Sequence, residues 1–193
     1  MRVIAGTCRG IRLQAPEGVA TRPTADRVRE AVMSALGGFF DGGDVLDICA
    51  GSGAVGIELL SRGIARAVFV DPSPDAVGVI VANLKRCKMT DKAQVMPFNA
   101  DKALARLAQE PRRFDFAYVD PPWEEGLIDP IVAAVADADI VRDDGEIIVE
   151  APRSRESTWN VPDGWTITWQ RAYGRCEVTR LVKASTDESD DGA

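Results

Sequence analysis

The chain has 193 residues, 46% of them hydrophobic and 27% charged, the composition of one globular domain able to bury a sizeable core. It contains no histidine, which excludes Ser-His-Asp and Cys-His catalysis and a His-ligated zinc, so no metal site is expected. Its formal net charge of −7 argues at first sight against a nucleic-acid partner. The cysteines at 8, 49, 87 and 176 form no C-x-x-C pair, which suggests reduced thiols in a cytoplasm. No apolar run reaches the length of a membrane span, and the start lacks the apolar stretch of a secretory signal.

Arg2 to Ala5 and Ile11 to Leu13 read as a hairpin with Gly6 and Gly10 in its turn, followed by a loop at Pro16-Glu17-Gly18. Thr24 is the expected N-cap of a helix that stops at Gly37-Gly38. Within it Val28, Ala31, Val32, Ala35 and Leu36 recur at helical spacing and form the predicted buried stripe, leaving Arg22, Arg27 and Arg29 off it. The first 35 residues carry Arg2, Arg9, Arg12, Arg22, Arg27 and Arg29 against Glu17, Asp26 and Glu30, a net of +3. Residues 184–193 hold Asp187, Glu188, Asp190 and Asp191 and no base, so −4 belongs to a tail expected to be disordered. The charge is therefore segregated, and the basic end is all arginine, whose planar fork pairs with phosphate and stacks on bases.

Asp44 to Ile48 reads as a short buried strand, Gly51-Ser52-Gly53 as a tight turn, and a helical pattern starts at Ala54. A second strand, Ala67 to Val70, ends in Asp71, 20 residues past Gly51, the spacing at which an acid in a doubly wound fold meets a ribose diol. A helix over about Pro74 to Arg86 leads to a third strand, Ala93 to Phe98, ending in Asn99-Ala100-Asp101, where a carboxylate could reach an adenine amino group. Another helix runs over about Asp101 to Gln109. Three successive strands thus end in a polar or glycine-rich device, which places a nucleoside-containing ligand along one edge of a parallel sheet. The run Gly51 to Gly56 also fits G-x-G-x-x-G, so spacing alone leaves NAD open. Asp47, inside the strand end, would repel a pyrophosphate but suits the cationic amino-acid moiety of S-adenosylmethionine.

The apolar run Phe114 to Val119 reads as a fourth strand and ends in Asp120-Pro121-Pro122-Trp123. This string suits a site for a planar amino group. The carboxylate accepts the N–H, the prolines stiffen the turn, and the indole offers a face for a flat base. A helix over about Ile128 to Ala138, a strand at Glu146 to Glu150, and a final pair, Trp165 to Arg171 and Glu177 to Val182, complete the pattern. Trp159, Trp165 and Trp169 read as packing residues. Alternating strands and helices imply a mostly parallel α/β sheet with right-handed crossovers.

Asp47-Ile48-Cys49-Ala50-Gly51-Ser52-Gly53, Asp71, Asn99-Ala100-Asp101 and Asp120-Pro121-Pro122-Trp123 stand in the order seen in class I S-adenosylmethionine-dependent methyltransferases. Together with Arg2-Val3-Ile4-Ala5-Gly6, Gly10-Ile11-Arg12-Leu13 and Thr21 to Glu30, the chain resembles RsmD-type ribosomal RNA guanine-N2 methyltransferases over roughly Met1 to Lys183. Cys49 stands where that family usually has Phe, and Trp123 where it often has Tyr, so a phenol-specific contact does not carry over. The resemblance implies a Rossmann-like fold with a seven-stranded sheet, a small amino-terminal hairpin-plus-helix extension over 1–37, a catalytic domain over 38–183 and a tail over 184–193. It implies S-adenosylmethionine held by Asp47, Ala50, Gly51, Ser52, Gly53, Asp71, Asn99, Ala100 and Asp101. Catalysis would fall to Asp120, Pro121, Pro122 and Trp123. RNA contacts would fall to Arg2, Arg9, Arg12, Arg22, Arg27 and Arg29.

The implied reaction is methylation of the exocyclic N2 amine of one guanosine in small-subunit ribosomal RNA by a cytoplasmic monomer. Weak bulk attraction to phosphate favours an assembled or partly assembled subunit over naked RNA. Amino-methyltransferases of DNA adenine or release-factor glutamine share the Asp-Pro-Pro-aromatic motif and remain alternatives. So do a non-catalytic adenosylmethionine-binding assembly factor and an NAD-dependent oxidoreductase.

Overall fold

Short apolar runs between glycine-rich turns and amphipathic helices wind into one sheet. The computed structural model describes residues 1–16, 23–123, 126–154 and 159–184. In chain order the elements are α1 (Pro23–Ala35), β1 (Asp44–Ile48), α2 (Ala54–Ser61), β2 (Arg66–Val70), α3 (Pro74–Cys87), β3 (Ala93–Met96), α4 (Ala100–Leu107), β4 (Phe114–Val119), α5 (Ile128–Asp137), β5 (Val141–Pro152), β6 (Trp165–Tyr173) and β7 (Cys176–Lys183). A 3₁₀ turn at Thr90–Lys92 precedes β3. The strand order is β3-β2-β1-β4-β5-β7-β6. Strands β1 to β5 pair in parallel, and β7 inserts between β5 and β6, antiparallel to both. The two faces of the sheet carry separate cores. Val45, Phe69, Tyr118 and Ile148 face α1, α2 and α3, whereas Leu46, Val70, Val119 and Val149 face α4 and α5.

The chain steps outward from β1 through β2 to β3, then returns to lay β4 on the other side of β1. This reversal is the topological switch point at which open α/β sheets bind ligands. Register aligns the carboxyl ends across it: Ile48 pairs with both Val70 and Val119, and Val70 pairs with Met96. Backbone bonds continue one step further, from Ala50 N–H to the Val70 carbonyl at 3.1 Å, Asp71 N–H to Met96 at 3.3 Å and Asp120 N–H to Ile48 at 3.3 Å. Asp71 and Asp120 therefore flank the Cys49–Gly53 loop at one level.

Three features at the amino-terminal end differ from the sequence expectation. The predicted hairpin is present in short form: one antiparallel bridge, Arg2 to Arg12, flanked by bonds from the Val3 N–H to the Ile11 carbonyl at 3.0 Å, the Leu13 N–H to Met1 at 3.2 Å and the Gly10 N–H to Val3 at 2.9 Å, with no longer ladder. The reason is competition. Glu58 takes the N–H groups of Ile4 at 2.7 Å and Ala5 at 2.9 Å, and Ser61 takes those of Thr7 and Cys8, so these donors are withdrawn from a ladder. Helix α1 starts at Pro23, so Thr24 lies inside its first turn instead of capping it, in keeping with the fitness of proline for a first helical position. Its buried stripe is Val28, Arg29, Val32, Met33 and Leu36, with Ala31 and Ala35 at the margin. The expected stop holds: the Gly38 N–H bonds back to the Met33 carbonyl at 2.8 Å, with Gly37 and Gly38 both at positive φ.

Candidate active site

The turn after β1 needs left-handed backbone at Cys49 (φ 61°), Gly51 (φ 55°) and Gly53 (φ 73°), which brings the chain round sharply into α2. Gly56, inside α2, serves packing. A Cβ there would lie 2.4 Å from the Phe69 ring, so only glycine lets α2 settle on β2. Its N–H points down to Asp47 Oδ2 at 2.9 Å. Asp47 is thus an internal cap for the first turn of α2, with 2% exposure, and lies beneath the loop instead of on its rim. Burial pushes its carboxyl up to about 7. The Gly56 bond opposes that rise, and the Asp71 charge adds to it.

Asp71 holds the loop from the side. Its Oδ2 accepts the Gly51 N–H at 2.8 Å, and its Oδ1 accepts the Ser73 N–H at 2.9 Å. Among the described residues each oxygen thus accepts one backbone N–H, half of its capacity. Ser52 Oγ meets Met1 Sδ at 3.3 Å, and the Ser52 carbonyl accepts from Asn83 Nδ2 at 2.9 Å. The same Asn83 side chain bonds both backbone groups of Gln14 at 2.8 and 3.0 Å. The amino-terminal segment and the glycine loop are therefore fastened to one side chain. Beyond β3, Asn99 caps α4 by accepting the Lys102 N–H at 3.2 Å, Ala100 is buried, and Asp101 is exposed in the first turn.

Asp120 stands half-buried at the end of β4, with Pro121 buried, Pro122 exposed and Trp123 half-buried. Trp123 packs on the cores of both faces, closing the end of the sheet, and its indole N–H donates to Asp120. Burial foremost, then the charges of Glu150 and Asp47, hold the Asp120 carboxyl well above the ordinary range, with Trp123 pulling the other way. Sequence reasoning missed Glu150. It takes the Tyr118 Oη–H at 2.7 Å and the Cys176 Sγ–H at 3.2 Å. The signal was available: Glu150 follows an apolar run just as Asp71 and Asp120 do.

Of the arginines predicted to meet RNA, Arg2, Arg9, Arg12 and Arg27 are exposed. Arg2, Arg9 and Arg27 line a groove of about 490 Å³ with Glu30. Arg29 is a correction. It is 5% exposed and turned inward, donating to the Arg2 carbonyl at 2.7 Å and lying 3.8 Å from Glu58. It shares the face of Met33, one turn on, and a cation there is tolerated because Glu58 is buried with it. Arg22 and the tail from residue 185 lie outside the described residues.

The Conserved hypothetical protein 95 family model matches residues 1–182. The chain is 37% identical over 183 residues to a Bacillus subtilis (strain 168) protein named "Putative rRNA methyltransferase YlbH", covering 95% of this chain and 99% of that one. It is 30% identical over 190 residues to "Ribosomal RNA small subunit methyltransferase D" of Escherichia coli (strain K12), covering 98% and 93%. The solved structure of yhhF from Escherichia coli superposes with a TM-score of 0.81 at 31% identity, covering 95% and 97%. With this sheet order, this loop and these matches, the chain belongs to the Conserved hypothetical protein 95 family, the RsmD family of class I methyltransferases.

Proposed function

We propose that this protein transfers a methyl group from S-adenosylmethionine to the exocyclic N2 amine of one guanosine in small-subunit ribosomal RNA, within an assembled or partly assembled subunit. The observation that carries the proposal is the alignment of Asp71 and Asp120 on either side of the glycine loop at the β1–β4 switch. Relatives named for ribosomal RNA small subunit methylation support the choice of substrate. Reduced thiols at Cys8, Cys87 and Cys176 support action in a reducing cytoplasm.

The residues present fit this cofactor. A buried acid at Asp47 and a further acid at Asp71 beside the loop favour a ligand bearing positive charge and a diol, and disfavour a diphosphate. Asp71 is assigned to the ribose, Asp101 to the adenine amine, and the backbone of Ala50 to Gly53 to close approach, with Asn99 and Ala100 shaping the adenine side. Asp47 supplies negative potential from beneath. When bound there, S-adenosylmethionine supplies a methyl group on a cationic sulfur, activated for direct displacement by an amine.

The chain's own task is alignment. A guanine amine is a poor nucleophile because its lone pair is delocalised into the ring. Asp120 and the Pro121 carbonyl accept its two N–H groups, which favours pyramidal nitrogen as the new bond forms. The amine becomes acidic only then, and its proton leaves to Asp120 or to water. Trp123 steadies the Asp120 carboxylate through its N–H and presents its ring to the extruded base. Residues 1–37 serve as the RNA-side extension, with Arg2, Arg9, Arg12 and Arg27 on phosphates, and 38–183 as the catalytic domain. The test supplies isotopically labelled S-adenosylmethionine and the protein to small subunits from cells lacking it. Mass spectrometry of the nucleosides should show N2-methylguanosine at one site. Label in another nucleoside, or in protein, would overturn the proposal.

A further inference from the structure

Glu150 is the carboxylate that family motifs leave without a task. Val119 pairs with Val149 in parallel register, so Asp120, just past the end of β4, lies beside Glu150 in β5. Strand alternation turns both toward the face that holds Tyr118 and Ile148. The Tyr118 hydroxyl and the Cys176 thiol each take one oxygen of Glu150 from below. Tyr118 is 1% exposed and Cys176 is buried, so the carboxylate is braced from the interior while remaining half-buried itself. Among the described residues these two donors occupy two of its four lone-pair positions. Two carboxylates set together repel each other, and the Glu150 charge is among the causes that raise Asp120. A pair of neighbouring N–H donors would relieve that repulsion.

We infer that Glu150 is a specificity-determining residue: it accepts the N1–H of guanine while Asp120 accepts the adjacent N2–H. The inference rests on the guanosine reading and deepens it. The Watson–Crick edge of guanine carries these two donors next to each other. Adenine presents a bare N1 acceptor there, which two carboxylates would repel. A site built around a donor rejects an analogue lacking it because its own polar groups are left unpaired.

The experiment uses small subunits, or their ribosomal RNA, with the target guanosine replaced by 2-aminopurine, which keeps the C2 amine but has a bare N1. The wild-type protein should methylate guanosine about 100-fold more efficiently in kcat/KM than 2-aminopurine. In Glu150→Gln the amide can turn its NH₂ to the bare N1, and the ratio should shrink at least about 10-fold, since a good paired contact carries that much discrimination. A merely structural role would lower both rates and leave the ratio alone. An unchanged ratio in a folded variant overturns the inference. If Glu150→Gln does not fold, the wild-type comparison decides: a ratio under about 3 overturns it, and a ratio near 100 supports it. If wild-type protein never methylates guanosine, the underlying reading has failed and the inference falls with it. That result differs visibly from guanosine methylation without discrimination.

Discussion

Asp71 Oδ2 accepts the Gly51 N–H at 2.8 Å, so the acid that ends β2 fixes the loop that follows β1. Its second oxygen holds Ser73, the N-cap residue of α3. One side chain therefore couples the shape of the loop to the start of the next helix. Asp71→Ala should raise the dissociation constant for S-adenosylmethionine about 10- to 100-fold and lower stability by about 1–3 kcal/mol, as two backbone N–H groups lose their acceptor. Calorimetric titration and urea unfolding measure the two effects separately. An unchanged dissociation constant would remove Asp71 from the ribose.

Asp120→Asn keeps the shape of the acceptor site and removes the charge. Turnover should fall at least about 100-fold, the scale of a lost positioned acceptor or base. The cofactor dissociation constant should stay within about 3-fold, because the proposed role of Asp120 is toward the acceptor amine and not the donor. Loss of cofactor binding as well would assign Asp120 a folding role.

The level of the Asp120 carboxyl should be visible in the pH profile. Burial, Glu150 and Asp47 raise it, Trp123 lowers it, and Tyr118 and Cys176 lie on the same face through Glu150. Only the ionised form accepts both donation from Trp123 and the substrate amine, so kcat/KM should rise with pH along one limb. Trp123→Phe keeps the ring and deletes the N–H. With the opposing pull of the indole N–H gone, the carboxyl rises further, and the limb should move to higher pH. A limb that stays in place, or moves down, would show that the indole N–H does not stabilise the carboxylate.

The strands and the motif acids were legible because they depend on local signals: apolar runs of four to six residues closed by a polar or glycine residue. What was not legible depends on partners distant in sequence. Glu58 lies inside an apolar helix and reads as a routine charge, yet it is fully buried and takes N–H groups 53 and 54 residues away, together with Arg62 at 2.7 Å. That long-range claim is what keeps the predicted hairpin short. Arg29 was misplaced for the same reason, since periodicity treats a cation as solvent-facing and carries no information about a buried acid opposite it. Glu150 escaped because no motif follows it, although like Asp120 it closes an apolar run.

The proposed place of Asp47 beneath the cofactor predicts a link between cofactor binding, pH and stability. Its carboxyl sits at about 7 in the fold against 3.8 for an unstrained aspartate. Between those values the folded protein holds a proton that the unfolded chain has released, so stability falls as pH rises through that window. The penalty is complete above pH about 7 and on the order of 4 kcal/mol. Asp47→Asn keeps an acceptor for Gly56 and cannot ionise. It should unfold at higher urea than wild type at pH 8, by about 1–3 kcal/mol, and lose that advantage near pH 4. Because a cationic ligand favours the ionised form, wild type should release protons on binding S-adenosylmethionine at pH 6.5, read as a dependence of the calorimetric enthalpy on buffer. Asp47→Asn should bind more weakly and release fewer. Equal proton release by both would clear Asp47 of the linkage.

The proposed RNA role of the arginine groove predicts how substrate binding depends on salt. Arg2, Arg9 and Arg27 are exposed around one cleft, whereas Arg29 is occupied internally. If each exposed guanidinium neutralises one phosphate, its removal should reduce the slope of log affinity against log salt by about 0.7–0.9. Single changes of Arg2, Arg9 and Arg27 to Gln should each show that reduction on small subunits, with cofactor affinity unaltered. Arg29→Gln should instead lower stability by about 1–3 kcal/mol, since the Arg2 carbonyl loses its charged donor while Arg62 still pairs with Glu58. The two classes separate in one pair of measurements, a salt series and an unfolding curve. Three wild-type slopes among the exposed variants would mean that RNA phosphates lie elsewhere. The face around Arg12 and Arg86, whose guanidinium bonds the Arg12 carbonyl at 3.1 Å, would be the next to test.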